Sequence, residues 1–286
     1  MTSNIQILSG LHDIADDYDA LVCDVWGVLH NGRMPFLAAA DALRAFRERR
    51  GPVVLLSNAP RLVGTLINQF EHIGVPTDCF DAVVTSGVAA RSELAARARG
   101  HKLAMFHLGP ERDRDVFEGL DVESVSADEA EVVLCTGLFD DDHETPDDYA
   151  GRLAELKERS LTMLCANPDI VVQRGGQLVY CAGALAREYE KIGGEVIYFG
   201  KPHPAIYDLT LETMRKTCGR TVTRVLAVGD GMATDLAGAN TMGFDALFVA
   251  HGIHAAELGE MTHETLAQLF EKTGVRARAA MRELVW

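Results

Sequence analysis

Short apolar runs alternate with helix-like stretches along most of the chain. The run 20–23 predicts a buried strand that ends at Asp24, and the Ala-rich stretch 38–50 predicts a helix that stops at Gly51. The same alternation continues through predicted strands at 52–56, 81–84, 102–106, 131–135, 161–165, 196–199, 225–228 and 246–249, and predicted helices at 61–73, 88–99, 146–159, 184–192 and 205–218. Such alternation is typical of βαβ units and a mostly parallel sheet.

The middle of the chain has its own strand and helix pattern and reads as a separate module. A stretch of roughly one hundred residues is long enough to form an inserted α/β domain. We therefore predict an α/β fold with two parts. A doubly wound, Rossmann-like parallel-sheet core is formed by residues 1–84 and 186–286, and a smaller inserted α/β cap by residues 85–185.

Composition and charge narrow the range of partners. The chain has 286 residues, 48% of them hydrophobic, which is enough to bury a core without metal or disulfide cross-links. Its formal net charge of −15 argues against nucleic acid and anionic membranes, because both ligands require many Lys and Arg side chains. A small anionic substrate remains compatible with this charge if a divalent cation or local positive charge binds it.

The N-terminus and the cysteines predict a cytoplasmic protein. No basic segment followed by an apolar run opens the chain, and no apolar stretch reaches the length of a membrane span. None of the six cysteines forms a C-x-x-C pair, and several lie within apolar runs. We interpret them as small buried side chains in a reducing compartment.

Polar and charged residues follow four of the predicted strands at their C-terminal ends, where open α/β sheets bind ligands. Asp24 follows the first, and Ser57 with Asn58 can donate hydrogen bonds to an anion. Lys201 can neutralise an anion or a carboxylate. The fourth segment, Gly-Asp-Gly-Met-Ala-Thr-Asp at 229–235, carries two acids that can hold a hard cation.

Each of these features has a simpler structural explanation when it is taken alone. An Asp at a strand end is often a helix cap, Ser57-Asn58 can form a turn, and a single Lys is usually on the surface. One carboxylate, one hydroxyl, one base and two further acids, placed in this order at four strand ends, are difficult to explain structurally. The combination favours a catalytic site.

With these motifs the chain resembles the haloacid dehalogenase superfamily of hydrolases over nearly its whole length. Asp24 matches the nucleophile of the first motif, Ser57 the second motif and Lys201 the third, while Asp230 and Asp235 match the fourth. The insert lies between the second and third motifs, as in the class with a large α/β cap. Asn-Pro-Asp at 167–169 and Gly-Lys-Pro at 200–202 resemble the subgroup of nucleotide, pyridoxal-phosphate, phosphoglycolate and 4-nitrophenyl phosphatases.

The resemblance implies a Mg²⁺-dependent phosphatase that forms an aspartyl-phosphate. Asp24 attacks phosphorus in line, and Lys201 with Ser57 and Asn58 binds the phosphate oxygens. Mg²⁺ is implied on Asp24, the backbone carbonyl of Trp26, Asp230 and, through water, Asp235. Such catalysis acts by positioning, electrostatics and a covalent intermediate.

Trp26 departs from the family pattern. Family phosphatases carry a second Asp at this position, which protonates the leaving alcohol and then activates water. An indole donates one hydrogen bond and cannot transfer a proton in this way. Loss of a general acid or base typically costs about 10²–10⁴-fold in rate. Trp26 can instead form an aromatic wall of the substrate pocket.

Three functions stay open on this basis. The first is a slow or specialised phosphatase with another proton donor, for which His30 and His203 are candidates, although ordinary capping or surface roles are favoured for both. The second is a dehalogenase that attacks carbon, since an aromatic residue at this position resembles that branch. The third is a pseudoenzyme that binds a phosphorylated metabolite. The acids of the fourth motif and the large cap favour the phosphatase.

The cap is expected to supply contacts to the substrate. The candidates are Asn167, Asp169, Gln173 and Arg174, and Arg174 is expected to meet a second anionic group or to be solvated. The acidic run 140–142 is interpreted as a solvated loop before a helix that Pro146 opens. The expected partners are a small phosphorylated metabolite and a second copy of the chain, bound through the cap.

Overall fold

The computed structural model describes residues 5–174, 177–219 and 221–286. The strands, numbered β1 to β14, are Gln6–Ile7, Ala20–Cys23, Val53–Ser57, Ala82–Thr85, Leu103–Leu108, Val122–Ser124, Val132–Cys135, Thr162–Cys165, Val171–Arg174, Gln177–Tyr180, Val196–Tyr198, Val225–Gly229, Asp245–Val249 and Ala279–Met281. The α-helices, α1 to α9, are Leu37–Arg49, Val63–Ile73, Ser86–Arg97, Ala150–Glu158, Ala182–Lys191, Pro204–Cys218, Ala237–Met242, Ala255–Leu258 and His263–Thr273.

The core is a seven-stranded parallel sheet in the order β1-β14-β13-β12-β2-β3-β4. Strand β2 shows why the sheet is covered on both faces. Leu21 and Cys23 pack in one apolar cluster with α1 and α2, whereas Ala20 and Val22 pack in another with α6. Burial on both faces explains the continuous apolar run of this strand. The predicted doubly wound α/β fold is confirmed.

The inserted cap has a five-stranded parallel sheet in the order β11-β8-β7-β5-β6. Helices α4 and α5 cover one face, and α3 covers the other. The predicted boundary between residues 185 and 186 falls inside α5, and the second sheet continues to Tyr198. It does so because β11 pairs in parallel with β8, so the return to the core comes later in the chain than the sequence analysis placed it.

A hairpin that the sequence analysis treated as a polar stretch projects from the cap. Strands β9 and β10 pair antiparallel, with Gln173 opposite Leu178. The signal was present as two short β-prone runs separated by Gly-Gly, which is typical of a tight hairpin. Among the described residues no helix is long and apolar enough to cross a membrane.

Candidate active site

The ends of β2, β3 and β12 lie side by side at one edge of the core sheet. Asp24 follows β2, Ser57 ends β3 and Asp230 follows β12. Because these strands are parallel neighbours, their C-terminal ends meet, and their side chains line one cavity of about 520 Å³. The loop before α6 adds Lys201 to the same cavity. The structure thus brings together the residues that the four motifs singled out.

Lys201 lies between two carboxylates. Its Nζ donates to Oδ1 of Asp24 at 2.5 Å and to Oδ1 of Asp235 at 2.7 Å. The Lys201 side chain is 4% exposed, so neither contact is a surface ion pair. Burial alone would lower the pKa of Lys201, but Asp235 and Asp24 outweigh it and hold the pKa well above its usual value. The ammonium is therefore charged and fixed beside the carboxylate of Asp24.

Asp24, Asp230 and Asp235 form a buried acidic cluster. Each offers an oxygen, and these oxygens all lie within 4.8 Å of one another. Burial, followed by the charge of Asp235, raises the pKa of Asp230 to about 7 and raises the pKa of Asp24 well above its usual range. When all three acids are ionised, three carboxylates and one ammonium leave two negative charges uncompensated, and burial together with this repulsion is what raises the pKa of Asp24 and Asp230 while no cation is bound. A divalent cation with a preference for oxygen ligands matches both the charge and the donor atoms.

Backbone groups hold two of these acids in place. Oδ2 of Asp230 accepts the Ile253 N–H at 2.7 Å, and Oδ2 of Asp235 accepts the Gly231 N–H at 3.0 Å. Asp235 belongs to one wide helical turn, Met232–Leu236, with i→i+5 geometry, a feature often found at functional sites. Gly27 adopts φ +90°, and a Cβ there would come within 2.2 Å of Asp230 Oδ2. The backbone after Trp26 therefore packs directly against the acidic cluster.

The two residues of the second motif have different roles. The Ser57 hydroxyl can donate to a ligand, whereas the Asn58 side-chain amide binds other parts of the protein. Ser57 Oγ accepts the Ala59 N–H at 3.1 Å, which leaves its own hydrogen available to a ligand. The Asn58 side chain accepts the Lys201 N–H at 2.8 Å and donates to Oδ1 of Asp169 at 2.9 Å. Asn58 thereby joins the third motif to the cap through its side chain.

Trp26 forms part of the cavity wall and contacts the cap. Its Nε1 donates to the backbone carbonyl of Gln173 at 2.8 Å. The indole also meets His30 edge-on, with ring centroids 5.1 Å apart. The geometry agrees with the interpretation of Trp26 as an aromatic wall.

The two histidines proposed as proton donors have different surroundings. His30 is fully buried, and its Nδ1 accepts the Gly32 N–H at 2.9 Å. Burial, aided by the charge of Arg61, lowers the pKa of His30 to about 4, so the ring is neutral near pH 7. His203 stacks on Tyr198, with centroids 5.2 Å apart, and is not among the described residues that line the cavity.

The four cap candidates all line the cavity, namely Asn167, Asp169, Gln173 and Arg174. Arg174, however, donates to Asp141 at 2.6 Å and to Asp142 at 2.9 Å. Arg112 donates to the same Oδ2 of Asp141 at 2.5 Å. The interpretation of 140–142 as a solvated loop is therefore wrong for Asp141, whose side chain is only 12% exposed. Arg174 is compensated within the protein before any substrate binds.

A further pair, Arg61 and Asp113, was missed by the sequence analysis. Arg61 follows the second motif in the core, and its Nε lies 3.6 Å from Oδ1 of Asp113 in the cap. Asp113 is 2% exposed, and this oxygen has no hydrogen-bond partner. Burial raises the pKa of Asp113 to about 6, against the opposing charges of Arg61 and Arg112. The only signal in the sequence was the proximity of Arg61 to Ser57.

Comparisons with known proteins agree with this geometry. A family model described as haloacid dehalogenase-like hydrolase matches residues 21–123, and a second HAD-hydrolase-like model matches residues 198–271. A crystal structure of a haloacid dehalogenase-like hydrolase from Brucella suis 1330 is 41% identical, with a TM-score of 0.87, and the match covers 98% of this chain and 100% of that one.

More distant relatives cover most of the chain as well. The ribonucleotide monophosphatase NagD of Escherichia coli K12 is 26% identical, over 83% of this chain and 89% of the relative. The p-nitrophenyl phosphatase structure from Archaeoglobus fulgidus is 20% identical with a TM-score of 0.69, and covers 93% of this chain and 97% of that one. At that identity the likeness concerns the fold alone.

Proposed function

The chain belongs to the haloacid dehalogenase-like family of hydrolases, as its motifs predicted, and we propose that it is a Mg²⁺-dependent phosphatase of small phosphate monoesters. One observation carries this proposal: Asp24 accepts a hydrogen bond from Lys201 and lies within a cluster of three buried carboxylates at the sheet edge. The names of two relatives support it: NagD is a ribonucleotide monophosphatase, and a relative from Mycobacterium tuberculosis is a D-glycerol 3-phosphate phosphatase.

In the proposed mechanism Asp24 is the nucleophile. Its carboxylate attacks phosphorus, forms an aspartyl-phosphate and expels the leaving oxygen, and water then releases phosphate. The contact with Lys201 fixes the direction of the Asp24 carboxylate. Lys201 and the Ser57 hydroxyl stabilise the negative charge on the phosphate oxygens. Asp235 holds the Lys201 ammonium from the opposite side.

Mg²⁺ would be held by Asp24, Asp230 and the backbone carbonyl of Trp26, with Asp235 acting through water. When bound, the cation supplies charge neutralisation to the phosphate and to the acidic cluster. Support for this part comes from the two uncompensated negative charges and from the packing of the Gly27 backbone against Asp230. Three buried acids around one ammonium are also unfavourable for a dehalogenase that functions without a metal ion.

A substrate panel tests the proposal. Purified protein is assayed with 4-nitrophenyl phosphate, nucleoside monophosphates, glycerol 3-phosphate and pyridoxal phosphate, in Mg²⁺ and in chelator. We expect phosphate release that requires Mg²⁺, disappears in Asp24→Asn and persists in Asp140→Asn, a matched change in an exposed cap loop. Halide release from haloacids in chelator would instead establish the dehalogenase, and binding without turnover would establish the pseudoenzyme. The cytoplasmic location and the homodimer through the cap stay predictions.

A further inference from the structure

We propose that the substrate carries its phosphate on an oxygen that leaves as a stable anion, as in an aryl or enol phosphate. This inference rests on the proposed phosphatase activity and adds the class of substrate. It follows from the surroundings of the indole, carboxyl and imidazole groups that the structure describes around the cavity.

The position of the leaving oxygen follows from in-line displacement. The attacking oxygen of Asp24 and the leaving oxygen lie on opposite sides of phosphorus. Asp24 is at the sheet edge, so the leaving group extends toward the cap. On that side the cavity is lined by Trp26 and by apolar cap side chains, namely Leu138, Val171, Val172 and Val179, together with polar ones such as Thr136, Asn167 and Arg174. The apolar part of this wall suits an unsaturated or aromatic leaving group.

Trp26 has no hydrogen bond to offer the leaving oxygen. The indole has one N–H, and that group donates to the Gln173 carbonyl. A Cβ on Gly32 would lie 2.5 Å from the Trp26 ring, so the backbone at Gly32 packs closely against the indole. The side chain two residues after the nucleophile is therefore fixed and provides no proton.

The carboxyl groups lining the cavity are engaged as well. Asp24 and Asp235 accept hydrogen bonds from Lys201, and Asp230 accepts the Ile253 N–H. Of the other three carboxyls around the described cavity, Asp141 accepts from Arg112 and Arg174, and Asp169 accepts from Asn58. Asp113 is held by charge: its Oδ1 lies 3.6 Å from Arg61 and 4.0 Å from Arg112, without a hydrogen bond on that oxygen.

Two histidines also line the cavity, and neither is placed to serve as the acid. The Nε2 of His30 is buried without a partner, and its ring is covered by Trp26 on one side and Phe70 on the other. His251 lies at the exposed rim, edge-on to Phe36 and 3.8 Å from Glu283. Asp169 and Asp113, whose Oδ1 has no hydrogen-bond partner, are thus the carboxyls that a competing mechanism would use as proton donor, and the leaving-group series includes a variant of each.

The chemistry balances without a proton donor. As the bond from Asp24 to phosphorus forms, the bond from phosphorus to the leaving oxygen breaks, and its electron pair remains on a phenolate or enolate. Water then adds to phosphorus, the bond to Asp24 breaks, and the products are the Asp24 carboxylate and dihydrogen phosphate, which retains both protons of the water. An alkoxide leaving group would need a proton at the first step.

A leaving-group series tests this inference. The value of kcat/KM, which reports formation of the aspartyl-phosphate, is measured for aryl phosphates of graded phenol pKa and for alkyl phosphates. We expect kcat/KM to fall roughly fivefold or more for each unit of leaving-group pKa in the wild-type protein and in Trp26→Asn. In Trp26→Asp, which has the same size as Asn but can carry a proton, alkyl phosphates should gain about 10²-fold relative to aryl phosphates.

The outcomes separate the two proposals. Turnover with a flat leaving-group dependence in the wild-type protein would overturn the inference and leave the phosphatase intact. A flat dependence that becomes steep in Asp169→Asn or in Asp113→Asn would identify that aspartate as the proton donor and also overturn the inference. Absence of turnover with every phosphate ester in Mg²⁺ would overturn the phosphatase itself.

Discussion

The ammonium of Lys201 lies 2.5 Å from the carboxylate of Asp24, although 177 residues separate them in the sequence. The cap is inserted between them, so this contact joins the two segments that make up the core. Both side chains are buried, and Asp235 holds the other side of the ammonium. The proposed catalytic pair is therefore expected to stabilise the fold as well, which leads to the first prediction.

Replacing Lys201 by Met should destabilise the protein by about 3–5 kcal/mol, because Asp24 and Asp235 would be left buried without a cation. Urea unfolding at neutral pH measures the loss. Lys191→Met, at an exposed lysine of α5, is the matched control and should change stability very little. Mg²⁺ should recover part of the loss in Lys201→Met. Equal stability of the two variants would contradict the account.

Mg²⁺ should raise the thermal unfolding temperature of the wild-type protein in the absence of substrate. A ligand that binds only the folded state adds about 2.7 kcal/mol at one hundred times its dissociation constant. The increase should be absent in Asp230→Asn, which removes one oxygen ligand and one charge from the cluster. If Asp230→Asn gains as much stability from Mg²⁺ as the wild-type protein, the acidic cluster is not the metal site.

The positions of the strand-end residues could be predicted, because residues that follow neighbouring strands of a parallel sheet lie at the same edge of that sheet. Asp24, Ser57 and Asp230 each follow a buried apolar run, and strands of the same direction end at the same edge. The sequence alone was therefore enough to infer that these three side chains lie close together. Lys201 also reaches this edge, but the strand before it, β11, belongs to the cap sheet, so the shared edge of the core sheet does not explain its position.

The cap contacts could not be predicted, because they depend on side-chain partners far apart in sequence. Arg174 was expected to meet an anion on the substrate or to be solvated, but the fold brings Asp141 to it. The hydrogen bond from Trp26 to Gln173 joins residues 147 positions apart. Gln173 lies in β9, a strand that the sequence analysis missed. The burial of His30 likewise depends on how Trp26 and Phe70 pack around it.

Asp113 should make stability depend on pH. Its pKa is raised from 3.8 to about 6, mainly by burial, so between these values the folded protein binds more protons than the unfolded chain. The contribution of Asp113 is therefore fully present below pH 4 and is lost as the pH rises through 6. A shift of about two units corresponds to about 3 kcal/mol.

Asp113→Asn should remove this dependence. Relative to the wild-type protein, the variant should gain stability between pH 4 and pH 7, as measured by urea unfolding at several pH values. Asp147→Asn, at an exposed aspartate of the cap, is the control and should leave the profile unchanged. Parallel profiles for the wild-type protein and Asp113→Asn would show that burial does not raise the pKa of Asp113.

Trp26→Phe should loosen the contact between core and cap while keeping an aromatic ring in the wall. The variant loses the hydrogen bond to the Gln173 carbonyl, worth about 0.5–1.5 kcal/mol. Hydrogen–deuterium exchange in β9 and β10 should become roughly two- to tenfold faster. Trp286→Phe, at the other tryptophan of the chain, should not change exchange there. Unchanged exchange in both variants would contradict a role of Trp26 in holding the cap.

Covalent catalysis by Asp24 is the central claim, and intact-mass measurement of the acid-quenched enzyme tests it most directly. With 4-nitrophenyl phosphate and Mg²⁺, the wild-type protein should gain the mass of one phosphoryl group, on the peptide that contains Asp24. The adduct should be absent in Asp24→Asn and present in Asp140→Asn. Phosphate release that continues in Asp24→Asn without any phosphoryl adduct would contradict the account.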